Sequence, residues 1–293
     1  MRPVMRKAIT IPVEAALSPV ENLLVRWEAP LNHSPMFIVG APRTGGTLLY
    51  QLMARHFRVC YFSNLMMKFP ATVTAVGLAL RPLRGCTPDA DFSSHYGETP
   101  GLRSPNQGAP FWNLHIPVPP KNVVLQNMSQ DMEMRLRNTI AHLQNSYAAP
   151  FLNKWPQNTL RLEFLYTVFP DALFIHLKRD TEAVVRSILE GRRALCGGES
   201  GWFSVKPAGY EELRAQRPID QISWQLAQIE NAIAHAKKTI GRERFITFDY
   251  EHLVASPRAV MDDIGGFYQQ LGLGSRLAPR YEIPAHFPNR NKR

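Results

Sequence analysis

The chain has 293 residues, and its 34 Lys and Arg against 24 Asp and Glu give a formal net charge of +10. At 45% hydrophobic and 20% charged it has the makeup of a folded globular protein with ample chain for a core, which excludes the disordered and fibrous classes. The basic excess is spread along the chain: 7 against 3 in residues 1–60, 8 against 5 in 61–160 and 19 against 16 in 161–293. That spread suits an anionic ligand and lacks the basic stripe of a nucleic-acid binder.

The apolar, charge-free stretch Phe69–Leu80 is 12 residues, too short to span a bilayer. Met1 to Lys7 is basic, but no uninterrupted apolar run and cleavage site follow, so no secretory signal is expected. Cys60, Cys86 and Cys196 are odd in number with no CxxC spacing, and the nine histidines form no HExxH, so neither a disulfide framework nor a metal site is expected. A reducing, cytoplasmic setting fits this usage.

In chain order, Met36-Phe37-Ile38-Val39-Gly40 reads as a buried parallel strand, Ala41 to Gly46 as a turn, and Thr47 to Phe57 as a helix. Strand, glycine turn and helix open an α/β nucleotide fold. Residues 82–120 contain eight prolines, which preclude long helices and central strands, and this insertion is expected to act as an acceptor-binding lid. Gln130–Ala148 is a predicted helix, followed by an ordered run Phe151–Lys154 and a helix from about Asn158 to Phe169. Ala172–Leu177 is a second buried strand, and Asp180 is the expected N-cap of the helix carrying Val184, Val185, Ile188 and Leu189. Ile219–Ile240 is a long amphipathic helix, Arg244–Phe248 a third strand, and Pro257 opens a last helix to Leu271. No linker divides the chain, so a single domain over 1–293 is expected.

Gly40-Ala41-Pro42-Arg43-Thr44-Gly45-Gly46-Thr47 has the outline GxxxxGxT. The backbone N–H groups of such a turn, with the positive end of the following helix, form an anion cradle. The usual phosphate loop is GxxxxGK[ST], with a lysine for nucleoside triphosphates. Here Gly46 stands at the lysine position, which argues against an ATPase or GTPase. A glycine turn with no ligand is the plain alternative.

Pro42-Arg43-Thr44-Gly45-Gly46-Thr47-Leu48 resembles the PRSGTT-L loop of sulfotransferases that use 3′-phosphoadenylyl sulfate (PAPS), where it holds the donor's 5′-phosphosulfate. Phe174 to Ser187 resembles that family's strand–RDPxxVxxS–helix, and the resemblance implies that Arg179 and Ser187 bind the donor's 3′-phosphate. Thr247 to Pro257 resembles the YExLvxxP segment, which implies a donor contact for Tyr250. Together these imply an α/β, three-layer P-loop fold with a central, mostly parallel sheet flanked by helices. The donor site implied is Arg43, Thr44, Gly45, Gly46, Thr47, Leu48, Arg179, Ser187 and Tyr250.

Sulfonyl transfer is an in-line displacement in which positioning and charge stabilisation dominate. Arg43 is the expected cation beside the sulfonyl or bridging oxygens. Asn153-Lys154-Trp155-Pro156 resembles the family's NKxP segment, which implies that Lys154 stabilises the leaving phosphate oxygen, with no metal needed and 3′-phosphoadenosine 5′-phosphate (PAP) as product. For the general base, Ser93–Pro100 offers His95 first and Glu98 second. Either could simply cap its loop. The acceptor is expected to be a small molecule, lipid or carbohydrate bearing a hydroxyl or amine, and phenols and peptides also fit. Phe92, Tyr96, Phe111 and Trp112 suit an apolar or ring-bearing acceptor or serve to anchor the loop. The competing functions are a P-loop kinase or ATPase, and a catalytically dead relative that keeps the fold as a binding module.

Overall fold

Four short strands, β1 (Met36–Val39), β2 (Leu152–Asn153), β3 (Leu173–Lys178) and β4 (Phe245–Asp249), form one sheet in the order β2-β1-β3-β4. Every pairing is parallel, with Met36 opposite both Leu152 and Leu173, and Phe174 opposite Phe245. The structure is a computed structural model and describes residues 3–82, 92–116, 129–274 and 276–291. Cys86 and the prolines at 88, 117, 119 and 120 lie outside the described residues.

Strand β1 is buried throughout, and its alternation assigns each side chain to one of two cores. Phe37 and Val39 face a core shared with α5 (Gln130–Tyr147), α6 (Leu162–Val168) and α8 (Pro218–Thr239). Met36 and Ile38 face a second core with α2 (Gly46–His56), α9 (Tyr250–Ala255) and α10 (Pro257–Leu271). Helices on both faces of a parallel sheet give the three layers expected, and they bury the strands as continuous apolar runs.

Several expected elements shift by a residue or two, and one divides. The segment expected as a helix from Asn158 to Phe169 is a 3-10 turn, Pro156–Leu160, followed by α6. Arg161, at φ −133°, interrupts the helical backbone between them. Helix α5 stops at Ala148, which takes the left-handed conformation at φ 47°. Asp180 caps α7 (Thr181–Leu195) as expected, its carboxylate accepting from the Ala183 N–H at 2.8 Å.

Helix α1 (Pro3–Arg26) was not foreseen, because Pro12 and Pro19 lie inside it and each removes a backbone donor. Tertiary bonds override that penalty. Buried Glu21 accepts from the N–H groups of Thr74 (3.2 Å) and Ala75 (2.7 Å), and Glu14 accepts from Ala71 N–H at 3.0 Å. Glu21 thus supplies partners for the first turn of α3 (Val73–Ala79), where backbone donors have none of their own, and Glu14 does so for the 3-10 turn Pro70–Thr72 just before it. Asn138 on α5 donates to the carbonyl of Val25 at 2.9 Å. Among the described residues, no helix is long and apolar enough to cross a membrane.

Candidate active site

Because all four strands are parallel, their C-terminal ends lie on one edge of the sheet, and each is followed at once by a residue or loop singled out by sequence. After β1 comes Gly40–Thr47, after β2 Lys154, after β3 Arg179 and after β4 Tyr250. Crevices at this edge are where open α/β sheets bind ligands. Here a cavity of about 370 Å³ is lined by Arg43, Gly45, Gly46, Thr47, Leu48, Lys154, Arg179, Ser187 and Tyr250, which brings together every sequence-predicted donor residue except Thr44. The Thr44 side chain is buried, and its hydroxyl donates to the carbonyl of Ala41 at 2.9 Å, so it braces the loop from within.

The loop's glycines meet two different demands. A Cβ on Gly40 would lie 2.5 Å from the carbonyl oxygen of Leu177, so glycine lets β1 leave the sheet against β3. Gly45 has φ +93°, and its Cβ would lie 2.5 Å from Cδ2 of Tyr250. Gly45 also stands at the N-cap of α2 with no side-chain cap, which leaves the first-turn N–H groups directed at the cavity end of the helix.

Arg43 adopts φ 71°, a backbone conformation that non-glycine residues rarely hold outside functional loops. Its Nε donates to Oγ of Ser187 at 2.9 Å, and its guanidinium carbon lies 5.0 Å from the centroid of the Tyr96 ring. Burial, with a smaller contribution from the charge of Arg179, lowers its pKa. Two predicted donor ligands from distant parts of the chain are therefore already in contact.

Lys154 reaches the loop from the neighbouring strand. A Cβ on Gly46 would stand 3.0 Å from its Cε and 3.6 Å from its Cγ. Burial first, and then the charge of Arg43, pull the Lys154 pKa down to about 8. The ammonium thus lies in a site with surplus positive charge, which an anion would relieve.

Arg179 is held on four sides. Its guanidinium carbon lies 4.4 Å from the Tyr250 ring centroid, and its Nη1 donates to the carbonyl of Arg43 at 2.8 Å. Its Nε donates to Oδ1 of Asn291 (2.7 Å) and its Nη2 to the carbonyl of Arg290 (3.0 Å). Asn291 is itself fixed by its side-chain amide, which donates a hydrogen bond to the Glu251 carboxylate, and by Arg186 Nη2, which donates to its backbone carbonyl at 2.6 Å. Phe287, Pro288, Arg290 and Asn291 all line the cavity. Sequence reading missed this segment, since only the three-dimensional path of the chain brings residues 287–291 beside Arg179.

Another part of the wall is built from Phe92, Ser94, Tyr96, Gly97 and Gln107 of the proline-rich insertion, with Phe203 and Ser204. His95 and Glu98 are not brought to this wall. Both are exposed, and they pair their own backbones (His95 N–H to Glu98 O, 2.9 Å; Glu98 N–H to His95 O, 3.0 Å) to form a small hairpin whose turn, Tyr96-Gly97, faces the cavity instead. The carboxylate that does line the cavity is Glu190. It lies three residues beyond Ser187 and seven beyond Ala183, a helical spacing that could have flagged it.

The aromatic residues of the insertion divide by role. Phe111 and Trp112 are fully buried and anchor α4 (Ala109–His115) to the core, whereas Phe92 and Tyr96 face the cavity. The base of the insertion is bonded to the sheet. Trp112 Nε1 donates to Oδ1 of Asn153 (3.1 Å), Asn153 Nδ2 donates to the carbonyl of Gln107 (3.1 Å), and the Tyr50 hydroxyl lies 3.2 Å from the carbonyls of both Asn106 and Leu152.

A parallel sheet with a glycine loop after its first strand, and cations at the ends of three strands, defines a P-loop-like α/β protein with a cationic cavity at the sheet's edge. Residues 35–273 match the model of the Sulfotransferase family, and the chain belongs to that family. Omega-hydroxy-beta-dihydromenaquinone-9 sulfotransferase Stf3, from Mycobacterium bovis and from Mycobacterium tuberculosis, is 24% identical over 264 residues. That match takes in 84% of this chain and 65% of those relatives, so the chain spans just under two thirds of their length. The fold is similar to the crystal structures of sulfotransferase STF9 from Mycobacterium avium (TM-score 0.59, 18% identity, 87% of this chain and 68% of that one) and STF1 from M. tuberculosis (TM-score 0.54, 16% identity, 90% and 74%).

Proposed function

We propose that this chain transfers a sulfonyl group from PAPS to an acceptor hydroxyl or amine, releasing PAP. The observation that carries the proposal is the convergence of Arg43, Lys154, Arg179 and the glycine loop at the ends of the four parallel strands. In this reading the loop N–H groups, Thr47 and Arg43 hold the 5′-phosphosulfate, and Arg179 with Ser187 takes the 3′-phosphate. The Tyr250 ring lies beside the nucleotide. The acceptor oxygen or nitrogen attacks sulfur as the bond from sulfur to the bridging oxygen breaks. Lys154 and Arg43 stabilise the charge left on that oxygen, the role preorganised cations play in such transfers. The acceptor's proton leaves to a base, and the reading assigns that task to neither His95 nor Glu98, which stand off the cavity wall.

Residues 92–107 form the acceptor side of a single domain. Phe92, Tyr96, Phe203 and Phe287 give it an apolar rim, which suits a lipid or ring-bearing acceptor over a carbohydrate. The name of the Stf3 relatives specifies a menaquinone-derived acceptor for those proteins, which is consistent with such a rim. A reducing, cytoplasmic setting accords with the free thiols of Cys60 and Cys196.

Isothermal titration calorimetry with PAP tests the donor half of the reading. The expected result is 1:1 binding at a Kd of about 10 μM or tighter, roughly −7 kcal/mol. Absence of binding at high micromolar PAP would refute it. Release of PAP from PAPS on addition of hydroxylated lipids, phenols or sugars then separates an enzyme from a binding module.

A further inference from the structure

Among the described residues, five that are not glycine hold a positive φ: Arg43, Phe92, Tyr96, Ala148 and Ser204. Ala148 ends α5 as a left-handed cap, and the other four all line the cavity at the sheet's edge. Such a conformation is costly, and it persists only where the surroundings over-determine it. At Arg43 the strain belongs to the glycine loop. Ser204, at φ 66°, lies in the segment between α7 and α8, far from that loop in sequence.

That segment is held carbonyl by carbonyl. Gln157 Nε2 donates to the carbonyl of Ser204 at 3.3 Å, and the fully buried Gln225 donates to that of Phe203 at 3.0 Å. Gln225 also donates to the carbonyl of Val205, which Trp202 Nε1 meets at 2.8 Å. Phe203 and Val205 are themselves buried on either side. The backbone of Ser204 is thus pinned in its strained state. Glycine takes this φ without strain, so what serine adds here is its hydroxyl. The hydroxyl has no hydrogen-bond partner among the described residues.

Two neighbours set its place in the cavity. Gln157 lies three residues beyond Lys154, on the turn opened by Pro156, which lines the cavity too. On the other side the Phe203 ring lies 6.1 Å from that of Tyr96, which is stacked on Arg43. Ser204 therefore stands where the aromatic rim meets the turn that carries Lys154. An acceptor with its apolar body against Phe203 and Tyr96 brings its polar head to this point.

We propose that Ser204 is a specificity-determining residue that binds the acceptor's hydroxyl. Its Oγ accepts the hydrogen bond of the acceptor O–H, which leaves a lone pair of the acceptor oxygen free to face the donor. One fixed polar group beside an aromatic wall selects alcohols and phenols on an apolar body. This inference rests on the sulfonyl-transfer reading and goes beyond it in naming the residue that holds the acceptor.

The parent chain, Ser204→Ala and Ser204→Gly are compared by PAP release from PAPS with farnesol and with 2-naphthol, by calorimetry with PAP, and by thermal unfolding. The parent should transfer to at least one of the two acceptors. Both variants should lower kcat/KM for it at least about tenfold, with the Kd for PAP within about threefold of the parent. Ser204→Gly should unfold about 2–4 °C above Ser204→Ala, since only glycine relieves the backbone. Greater stability together with lost transfer is a result that a merely structural serine does not give. A kcat/KM for Ser204→Ala within threefold of the parent overturns the proposal. So does a parent that binds PAP yet transfers to neither acceptor, or a Ser204→Ala variant that loses PAP binding along with transfer. A parent that binds no PAP refutes the donor reading itself, and the proposal falls with it.

Discussion

A Cβ placed on Gly46 lies 3.0 Å from Cε of Lys154. The space that a loop side chain would fill is taken by a lysine from the neighbouring strand. Gly46→Ala should therefore push the Lys154 side chain aside by a few tenths of an ångström and slow transfer about tenfold, with PAP affinity within about threefold of the parent. Gly46→Lys restores the outline of a nucleoside-triphosphate loop but sets two ammonium groups in one space, and it should abolish PAP binding without creating magnesium-ATP binding. Calorimetry with both nucleotides checks this, and tight ATP binding by the variant would contradict it.

Lys154 should weaken the fold that positions it. Its pKa of about 8 in the folded chain lies below the unfolded value of about 10.4, so the unfolded state binds more protons between these limits and stability rises with pH across that window. Below pH 8 the charge is present in both states and the burial penalty is complete. Lys154→Met should stabilise the chain at pH 7 by about 1–2 kcal/mol and raise Tm by about 2–6 °C, a gain that shrinks toward pH 10. The same variant should lose transfer activity. Parent affinity for PAP should fall as pH passes above about 8, and the variant should lack that decline. Thermal scans and calorimetry across pH 6–10 read out both effects.

Arg179 already donates to Asn291 and to the carbonyl of Arg290, which are the kinds of oxygen a phosphate replaces. Arg179→Ala should weaken PAP binding about 10- to 100-fold, the value of a lost charge-assisted contact. Asn291→Ala frees the guanidinium Nε and should leave PAP affinity unchanged or tighter. A loss of threefold or more in Asn291→Ala would show instead that the tail adds to the binding site.

Gly45 packs tightly on Tyr250, with 2.5 Å between the position an added methyl would take and the ring. Gly45→Ala adds that clash to the strain of a positive φ and should destabilise the chain by about 2–4 kcal/mol. The double variant Gly45→Ala/Tyr250→Ala removes the clash and retains the backbone strain, so it should recover part of the loss relative to Tyr250→Ala alone. Urea denaturation of the four proteins checks the cycle.

The sheet and the residues gathered at its cavity edge were legible because their signals are local. A run such as Met36–Gly40 followed by a glycine turn carries its own geometry, and Arg179 and Ser187 lie eight residues apart across one strand–helix junction. That His95 stands off the cavity wall was not legible for a corresponding reason: a hairpin presents alternate residues to opposite sides, and the side depends on register that the sequence does not display. The pairing of His95 with Glu98 turns Tyr96 and Gly97 inward. Helix α1 was illegible because its prolines obey a local rule that Glu14, Glu21 and Asn138 override from afar. The segment 287–291 joins the site through contacts with residues some 33 to 112 positions earlier, from the Phe287 N–H to the carbonyl of Val254 to the bond between Asn291 and Arg179.

Asn153 divides its amide between Trp112 and Gln107, one residue before Lys154. The cation proposed for the leaving group and the rear of the acceptor wall are thus riveted to a single side chain. Under the proposed function, acceptor choice is set away from that anchored base, at the hairpin tip Phe92 to Gly97 and at Phe203 and Ser204, where Phe203 packs on Tyr96. Substitutions at those two margins would then change the acceptor while the residues proposed to act on the sulfur–oxygen bond stay in place.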